Sequence, residues 1–175
     1  AAKSEEVKKR LADKLAALKA ENKTRPMFSE QLFQGRGARL EDVYGPEAVA
    51  EGRAVPLLGQ GEYYAPRNED AANYGAVSQH QVVLNNPLVL KTNQDWYRLL
   101  DAAGAQHLNS QGPLFYKEPQ GIAAATERLK QYVLSKGHDG VVVRFDQNQK
   151  ALRESFGHDT IVSYKQPKQV DLAKV

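Results

Sequence analysis

The sequence predicts one domain of the α+β class. Its 175 residues are the length of one ordinary domain, and its 41% hydrophobic and 26% charged residues are typical of a globular chain. Strand-like and helical segments are mixed without the regular βαβ order of a doubly wound sheet. The sequence contains no cysteine, which excludes disulfides, thiolate nucleophiles and zinc sites that use sulfur.

The charge balance and the hydropathy limit the classes of partner. Lys and Arg number 24 against 21 Asp and Glu, and the net charge of +3 permits a phosphate-bearing partner without demanding one. No apolar run approaches the roughly 18 residues of a transmembrane helix, so we expect no membrane segment. The chain opens with Ala1-Ala2-Lys3 rather than Met, and we expect it to be part of a longer protein.

The first segment predicts an amphipathic helix over residues 4–21. Its apolar residues recur at steps of four, four and three, at Val7, Leu11, Leu15 and Leu18. The lysine-rich remainder is consistent with a basic docking helix. Packing on its own domain is the commoner use of such a stripe, and it is the interpretation that we favour. We therefore divide the chain into an N-terminal amphipathic helix, residues 1–25, and a main domain, residues 26–175.

Short strands separated by turns are predicted next. Residues 31–34 are typical of a strand that Gly35-Arg36-Gly37 interrupts, and a loop rich in Gly, Pro and charge then runs to Leu58. Residues 62–65 predict a further strand, because aromatic residues favour a pleated surface. Pro66 is expected to end it.

A short helix and the elements of the C-terminal half complete the prediction. Asn68 is expected to cap a helix over residues 69–74 that Gly75 closes. Residues 79–84 and 88–90 indicate a strand pair or one bent strand. The other predicted elements are helices over 94–103, 121–136 and 149–156, strands over 141–145 and 160–164, and a long loop over 104–119.

Several common catalytic motifs are missing from the sequence. No pair of the four histidines has the spacing of a helix-borne metal site, so we expect no metal. Gly35-Arg36-Gly37 lacks the Lys and Ser or Thr of a P-loop, and no glycine-rich turn joins a strand to a helix in the Rossmann manner. No serine has the context of a nucleophile elbow, which argues against a Ser-His-Asp enzyme.

Three other short motifs follow one another along the chain. They are residues 32–37 (Leu-Phe-Gln-Gly-Arg-Gly), residues 59–65 followed by Ala-Ala-Asn-Tyr at 71–74, and residues 158–164. In this order and spacing the chain resembles the ADP-ribosyltransferase superfamily, especially its poly-ADP-ribose-polymerase and diphtheria-toxin-like branch. The resemblance extends over residues 30–170. It implies an ADP-ribosyltransferase-like fold, in which two small packed β-sheets and flanking helices surround a cleft for NAD.

The resemblance also implies which residues bind NAD. Tyr74 would stack on the nicotinamide ring, Tyr63 would line the opposite wall, and Gly35 would bind the carboxamide through its backbone. Tyr64 and Arg36 are counted with these cofactor-binding residues. Because neighbouring strand residues face opposite ways, at least one of the two adjacent tyrosines is expected in the core. Arginines flank the expected cleft at positions 36, 39 and 67. Arg36, Arg39 and Arg67 would either hold the pyrophosphate or be solvated surface charges.

Three polar residues are the candidates for the reaction itself. Cleavage of the bond between nicotinamide and ribose passes through an oxocarbenium-like transition state, much as in glycosidases. By the resemblance, Asp159 would hold a ribose hydroxyl and offset the developing positive charge. Gln34 stands where the family has His, and Asp159 stands where it has the longer Glu. Glu154, on the preceding helical stretch, is therefore the alternative carboxylate.

The function implied is that of a mono-ADP-ribosyltransferase that uses NAD as co-substrate and no metal. The chain also resembles C-terminal toxin domains of bacterial Rhs-type polymorphic effectors. That likeness implies delivery in a larger secreted protein, action in the cytoplasm of a target cell, and a cognate immunity protein. The acceptor is a protein side chain or a structured RNA or DNA. Two alternatives stay open: an NAD glycohydrolase, and a catalytically inactive module on the same fold that binds nucleic acid or protein.

Overall fold

Two small β-sheets and a set of mostly short helices make up the described part of the protein, a mixed α+β architecture as the sequence predicts. The computed structural model describes residues 2–24, 28–164 and 170–171. Its strands are β1 (Phe28–Gly37), β2 (Glu62–Tyr64), β3 (Gly75–Leu84), β4 (Pro87–Leu90), β5 (Gly140–Val143), β6 (Thr160–Ser163) and β7 (Val170–Asp171). Its helices are α1 (Ala2–Thr24), α2 (Leu40–Tyr44), α3 (Pro46–Ala50), α4 (Asn68–Ala72), α5 (Asn93–Ala103), α6 (Leu114–Lys117), α7 (Ile122–Ser135) and α8 (Lys150–Phe156).

The strands form a three-stranded sheet of order β1-β3-β7 and a four-stranded sheet of order β2-β6-β5-β4. All neighbours are antiparallel except β4 and β5, which run parallel. An antiparallel bridge between Phe33 of β1 and Ala65, directly after β2, joins the edges of the two sheets. Strands β1 and β2 themselves are not paired with each other, and the cavity described below lies in the gap between them.

Two apolar clusters hold the layers together. One lies between the two sheets and contains Phe28, Leu32, Tyr64, Val82, Leu84, Val142 and Ile161. The other lies on the opposite face of the four-stranded sheet, where α5, α7 and α8 cover it, and includes Trp96, Leu129, Val141 and Leu152. The predicted buried face of α7 is confirmed, because the helix buries Ile122, Ala125, Leu129 and Val133.

The prediction of a strand pair or one bent strand over residues 79–84 and 88–90 is wrong, because β3 and β4 belong to different sheets. β3 pairs along its whole length with β1, whereas β4 pairs with β5. Asp139, which is far from this turn in sequence, holds the turn in place. Its carboxylate accepts the backbone N–H groups of Asn85 at 2.7 Å and Asn86 at 3.0 Å. This buried carboxylate draws the turn to the start of β5 and so sends the chain into the second sheet.

The sequence predicts that Gly35-Arg36-Gly37 interrupts the strand, and this prediction is wrong. The strand continues to Gly37 because each residue keeps its partner on β3, from Gln34 opposite Ser78 to Gly37 opposite Gly75. The glycines reflect close packing instead. A Cβ on Gly35 would lie 1.9 Å from the backbone oxygen of Ala71 in α4, so only glycine allows the helix to approach the strand this closely.

Other local predictions need smaller corrections. α5 and α7 begin and end within one residue of the predicted bounds. The predicted loops over 38–58 and 104–119 contain α2, α3 and α6, which are too short to give a periodic pattern. Asn68 is the first residue of α4 rather than its cap; Arg67 occupies the capping position and makes no side-chain capping bond.

The N-terminal helix α1 leaves three residues of its apolar stripe exposed. Val7, Leu11 and Leu15 are 53%, 63% and 54% exposed, so the interpretation that this stripe packs on its own domain is wrong for these three residues. The side chain of Leu18, the fourth member of the stripe, lies outside the described residues. Within the described ranges 2–24, 28–164 and 170–171, none of the helices is both long and apolar enough to cross a bilayer.

Candidate functional site

A cavity of about 300 Å³ lies at the gap between β1 and β2. The strands supply its floor, and α2, α4, the end of α8 and the loop before Leu58 supply its walls. Its volume is at the lower end of the range of small-molecule pockets. The residues that line it are Phe33, Gly35, Tyr44, Val55, Pro56, Leu57, Tyr63, Tyr64, Ala65, Ala71, Tyr74, Ser155, Phe156, His158 and Thr160.

Gly35 presents its backbone to this cavity. Phe33 exchanges both of its backbone hydrogen bonds with Ala65, at 2.9 and 2.8 Å, so its N–H and C=O point to the β2 edge of the strand. Backbone groups of a strand point to the same edge at every second residue, and those of Gly35 therefore point to that edge too. There the bridge to Ala65 has ended, and the N–H and C=O of Gly35 face the gap.

Tyr63 lines the cavity with its hydroxyl group already held. The hydroxyl donates to the carbonyl of Gly59 at 2.6 Å and accepts the backbone N–H of Leu58 at 3.1 Å. Burial raises the pKa of Tyr63 well above its ordinary value, so the side chain is a neutral phenol at physiological pH. These bonds fix the ring as a rigid wall of the cavity.

Tyr64 is mainly a core residue, as the alternation of strand side chains requires for one of the two tyrosines. Its side chain belongs to the cluster between the sheets, is 4% exposed, and contacts the His80 ring edge to face at 5.5 Å. Burial, and after it the nearby Glu62 carboxylate, raises the pKa of Tyr64 to about 12. It still contributes to the cavity lining.

Tyr74 and His158 form a hydrogen-bonded pair in the cavity wall. The Tyr74 hydroxyl lies 3.1 Å from Nε2 of His158, and the two rings meet edge to face at 5.9 Å. Nδ1 of His158 lies 2.7 Å from the backbone carbonyl of Asp159. Burial raises the pKa of Tyr74, so its hydroxyl remains protonated at neutral pH.

Gln34 and Arg36 lie on the other face of β1 from Phe33 and Gly35, because strand side chains alternate. Gln34 is 5% exposed and donates to the Glu62 carboxylate at 2.5 Å and to the Tyr63 carbonyl at 3.3 Å. Arg36 donates to the Gln34 side-chain oxygen at 3.0 Å and to Glu62 at 2.5 Å. This network ties β1 to β2 behind the cavity, and neither residue lines the cavity itself.

The two candidate carboxylates lie beside the cavity lining rather than within it. Asp159 follows His158 directly, and its carboxylate accepts the backbone N–H of Phe145 at 3.2 Å. Glu154 precedes Ser155; it contacts Gln111 and lies 3.9 Å from Lys150. Glu154 lines a second pocket of about 170 Å³, which adjoins the cavity because the two share Tyr44, Val55, Leu57 and Ser155.

The cavity lining is mainly aromatic and apolar as far as the structure describes the chain. Its described part includes no Asp, Glu, Lys or Arg side chain, and His158 is the one histidine there. Nor does any group of three or more His, Asp or Glu side chains among the described residues form a potential metal site. Its chemistry is therefore that of a slot for a flat ring, with few polar contacts.

Sequence reasoning brought forward four of the lining residues, Gly35, Tyr63, Tyr64 and Tyr74, and missed the others. Five further lining residues lie within the three motifs, but the resemblance gives them no role: Phe33, Ala65, Ala71, His158 and Thr160. The remaining wall residues carry no local motif. They include Tyr44, Val55, Leu57 and Phe156.

No protein-family model matches the chain, and no curated protein matches it. Among solved structures, the chain is similar to one described as the crystal structure of an anti-CRISPR protein, with a TM-score of 0.42 and 15% identity. That similarity covers 80% of this chain and 93% of the other. It is too distant to support an argument about fold or function.

Proposed function

We propose that this chain is a mono-ADP-ribosyltransferase toxin domain with an ADP-ribosyltransferase-like fold. It binds NAD, breaks the bond between nicotinamide and ribose, and transfers ADP-ribose to a protein or to a structured nucleic acid such as RNA. One observation carries the proposal. Residues from three separate segments, singled out by their motifs, line one cavity between β1 and β2: Gly35, Tyr63, Tyr64 and Tyr74.

The size and lining of the cavity support nicotinamide as the group that it receives. About 300 Å³ accommodates one substituted ring rather than a whole dinucleotide. Aromatic walls favour a flat ring and attract the positive charge of the oxidised nicotinamide. In this proposal the rest of NAD extends outward from the cavity, along the adjoining pocket that holds Glu154.

The backbone of Gly35 supports recognition of the carboxamide. Its N–H and C=O point to the gap between the strands, where an amide can pair with both groups as a neighbouring strand would. A side chain at this position is excluded by the contact with Ala71. The residue that packs α4 against β1 is thus also the one that offers the ligand a free strand edge.

Asp159 and Glu154 are the proposed sources of the stabilising negative charge. Each is adjacent in sequence to a residue of the cavity wall, Asp159 to His158 and Glu154 to Ser155. Positive charge developing on the ribose would be stabilised by a carboxylate that reaches the mouth of the cavity. Gln34 takes part less directly in this proposal, because it holds β2 through Glu62 and the Tyr63 carbonyl.

A second candidate function is binding without transfer. The observation that favours it is the lack of an acidic side chain in the described cavity lining. On the same fold, NAD or a related ring would then bind without turnover. A third outcome, NAD hydrolysis, requires only that water takes the place of the macromolecular acceptor.

Incubation with radiolabelled NAD in a cell extract separates these functions. Transfer predicts label on protein or nucleic acid, and treatment of the products with protease or nuclease identifies which. Hydrolysis predicts free labelled ADP-ribose without a labelled macromolecule. Intact NAD that nevertheless binds in calorimetry supports the inactive module, and the absence of both binding and turnover contradicts the proposal.

The NAD site is tested directly by Tyr74→Ala. Loss of the ring should remove stacking of about 1 kcal/mol or more and weaken NAD binding at least about fivefold. Tyr116→Ala is the matched control, because Tyr116 is an exposed tyrosine outside the described cavity lining. Equal NAD affinity in the Tyr74 variant and the parent would remove Tyr74 from the site.

As a toxin domain, the protein would act in the cytoplasm of a target cell after delivery within a larger secreted bacterial effector. A cognate immunity protein would protect the producing cell. This part of the proposal rests on the resemblance to C-terminal toxin domains. Expression in a bacterial cytoplasm with and without a candidate neighbouring gene tests it: arrested growth that the neighbour relieves is expected, and unimpaired growth contradicts it.

A further inference from the structure

Three tyrosine and threonine hydroxyl groups of the cavity wall have hydrogen-bond partners within the protein, and Ser155 Oγ also lies 3.5 Å from Ser110 Oγ. The Tyr63 hydroxyl donates to the Gly59 carbonyl, and the Thr160 hydroxyl donates to the His158 carbonyl at 3.1 Å. The third is the Tyr74 hydroxyl, and the direction of its hydrogen bond depends on the tautomer of His158. A hydroxyl that has donated its proton retains only lone pairs with which to meet a ligand.

The direction of the Tyr74 bond follows from the contacts of His158. A backbone carbonyl can only accept, so the Nδ1 atom that lies 2.7 Å from the Asp159 carbonyl carries a proton. In the neutral imidazole Nε2 is then unprotonated and accepts. Tyr74 therefore donates its hydroxyl proton to Nε2, and its oxygen is left as an acceptor in the cavity wall.

We propose that His158 is a specificity-determining residue, which makes this cavity accept a carboxamide and reject the corresponding carboxylate. The inference rests on the proposed function, since it assumes that a pyridine ring with one such substituent enters the cavity. A carboxamide can donate to the Tyr74 oxygen. A carboxylate can only accept; at this position it would place its charge against the lone pairs of the Tyr74 oxygen, and the described lining offers no Lys or Arg side chain.

Two matched pairs of ligands test this inference by calorimetry near neutral pH. The first pair is NAD and its analogue with nicotinate in place of nicotinamide, and the second is nicotinamide and nicotinate. We expect the parent protein to bind each amide at least about tenfold more tightly than the acid, the scale of an unsatisfied buried charge. Equal binding of amide and acid overturns the inference and leaves the proposed function standing.

Variants at position 158 assign the discrimination to the histidine. His158→Leu removes the acceptor, frees the Tyr74 proton to point at the ligand, and should lower the amide-to-acid affinity ratio at least about fivefold. In His158→Gln the side-chain oxygen can accept the same proton, so the ratio should stay within about twofold of the parent value. A ratio in His158→Leu equal to that of the parent overturns the proposal.

His80 is the matched control outside the described cavity lining. It also contacts a tyrosine ring edge to face, Tyr64 at 5.5 Å, and it also pairs with a hydroxyl, Ser78 at 2.7 Å. His80→Leu should therefore leave the ratio within about twofold of the parent. A drop equal to that in His158→Leu would mean that loss of any such histidine acts through packing, and would overturn the proposal.

Tyr74→Phe keeps the test decisive if His158→Leu does not fold. It removes the hydroxyl oxygen and retains the ring. The amide loses its acceptor and should bind several-fold more weakly, the acid no longer meets the lone pairs of that oxygen, and both effects lower the ratio. An unchanged ratio overturns the proposal. Failure of the parent to bind NAD and nicotinamide at all refutes the proposed function, and this inference with it.

Discussion

Gly35 meets two requirements that no other residue type satisfies together. It admits the backbone oxygen of Ala71 at a distance that a Cβ would occupy, and its own N–H and C=O face the gap between β1 and β2. The sequence marked this glycine as a strand breaker. In the structure it lies within a paired strand, and its lack of a side chain brings α4, and with it Tyr74, to the cavity.

Gly35→Ala should therefore lower the free energy of unfolding by about 1–3 kcal/mol, the cost of overpacking a tight contact. NAD binding should weaken as well, because α4 must shift. Gly112→Ala is the control, since a Cβ there would first meet the end of the Asn109 side chain, at 3.3 Å. Urea unfolding and NAD titration of both variants measure the effect; equal stability of Gly35→Ala and the parent would contradict it.

Asp159, the proposed catalytic carboxylate, also accepts the backbone N–H of Phe145, so the experiment must separate loss of charge from loss of this hydrogen bond. Asp159→Ala should lower turnover by about 10²-fold or more, as for other groups that stabilise transition-state charge, with little change in NAD affinity. Asp159→Asn can still accept the Phe145 N–H but has no charge, and it should be as slow. Glu154→Ala should cost less than about tenfold. A dead Glu154→Ala beside an active Asp159→Ala would exchange the two roles.

At the scale of elements, contacts between segments override the local sequence pattern. They extend one strand through predicted breakers and separate two strands that were predicted to pair. β1 continues through two glycines because β3 pairs with it residue for residue. β3 and β4 separate at a two-residue turn because the Asp139 carboxylate holds that turn beside β5. The long helices behave as their sequences predict where a partner surface is present, since an amphipathic stripe such as that of α7 specifies its own buried face.

The first helix, α1, is expected to be separable from the proposed NAD site. Its described stripe residues are exposed and none of them lines the cavity. Deletion of residues 1–24 should leave the urea midpoint and NAD cleavage close to those of the full chain. Docking to a partner or solubility should suffer instead. Loss of NAD binding in a truncated protein that still unfolds cooperatively would make α1 part of the site.

At the scale of the whole molecule, buried phenols tie stability to alkaline pH. Burial raises the pKa of Tyr63, Tyr64, Tyr74 and Tyr164 above the ordinary value of 10.0. The folded state thus holds these protons more tightly than the unfolded state does. The contribution of these protons to the free energy of unfolding is complete below the pKa of the unfolded state. It is lost as the pH rises through the pKa values of the folded state.

The free energy of unfolding should accordingly fall as the pH is raised from 10 to 12, the window between the ordinary pKa of Tyr64 and its raised value. Tyr64→Phe has no proton to lose, so it should lose less stability than the parent over this interval. Urea unfolding at stepped pH, with tyrosinate absorbance recorded in parallel, measures both. Parallel curves for parent and variant would contradict the assignment to Tyr64.

The sequence by itself determined the α+β class, the buried face of α7 and the motif residues Gly35, Tyr63 and Tyr74, because helical period and residue type are local properties of the chain. Only the tertiary structure decided that Gln34 and Arg36 turn away from the cavity, that Tyr44 and Phe156 complete its wall, and that His158 directs the Tyr74 proton. The physical reason is the same in each case. Cavity walls and hydrogen-bond directions arise from residues far apart in sequence, and their geometry is fixed only when the sheets and helices pack.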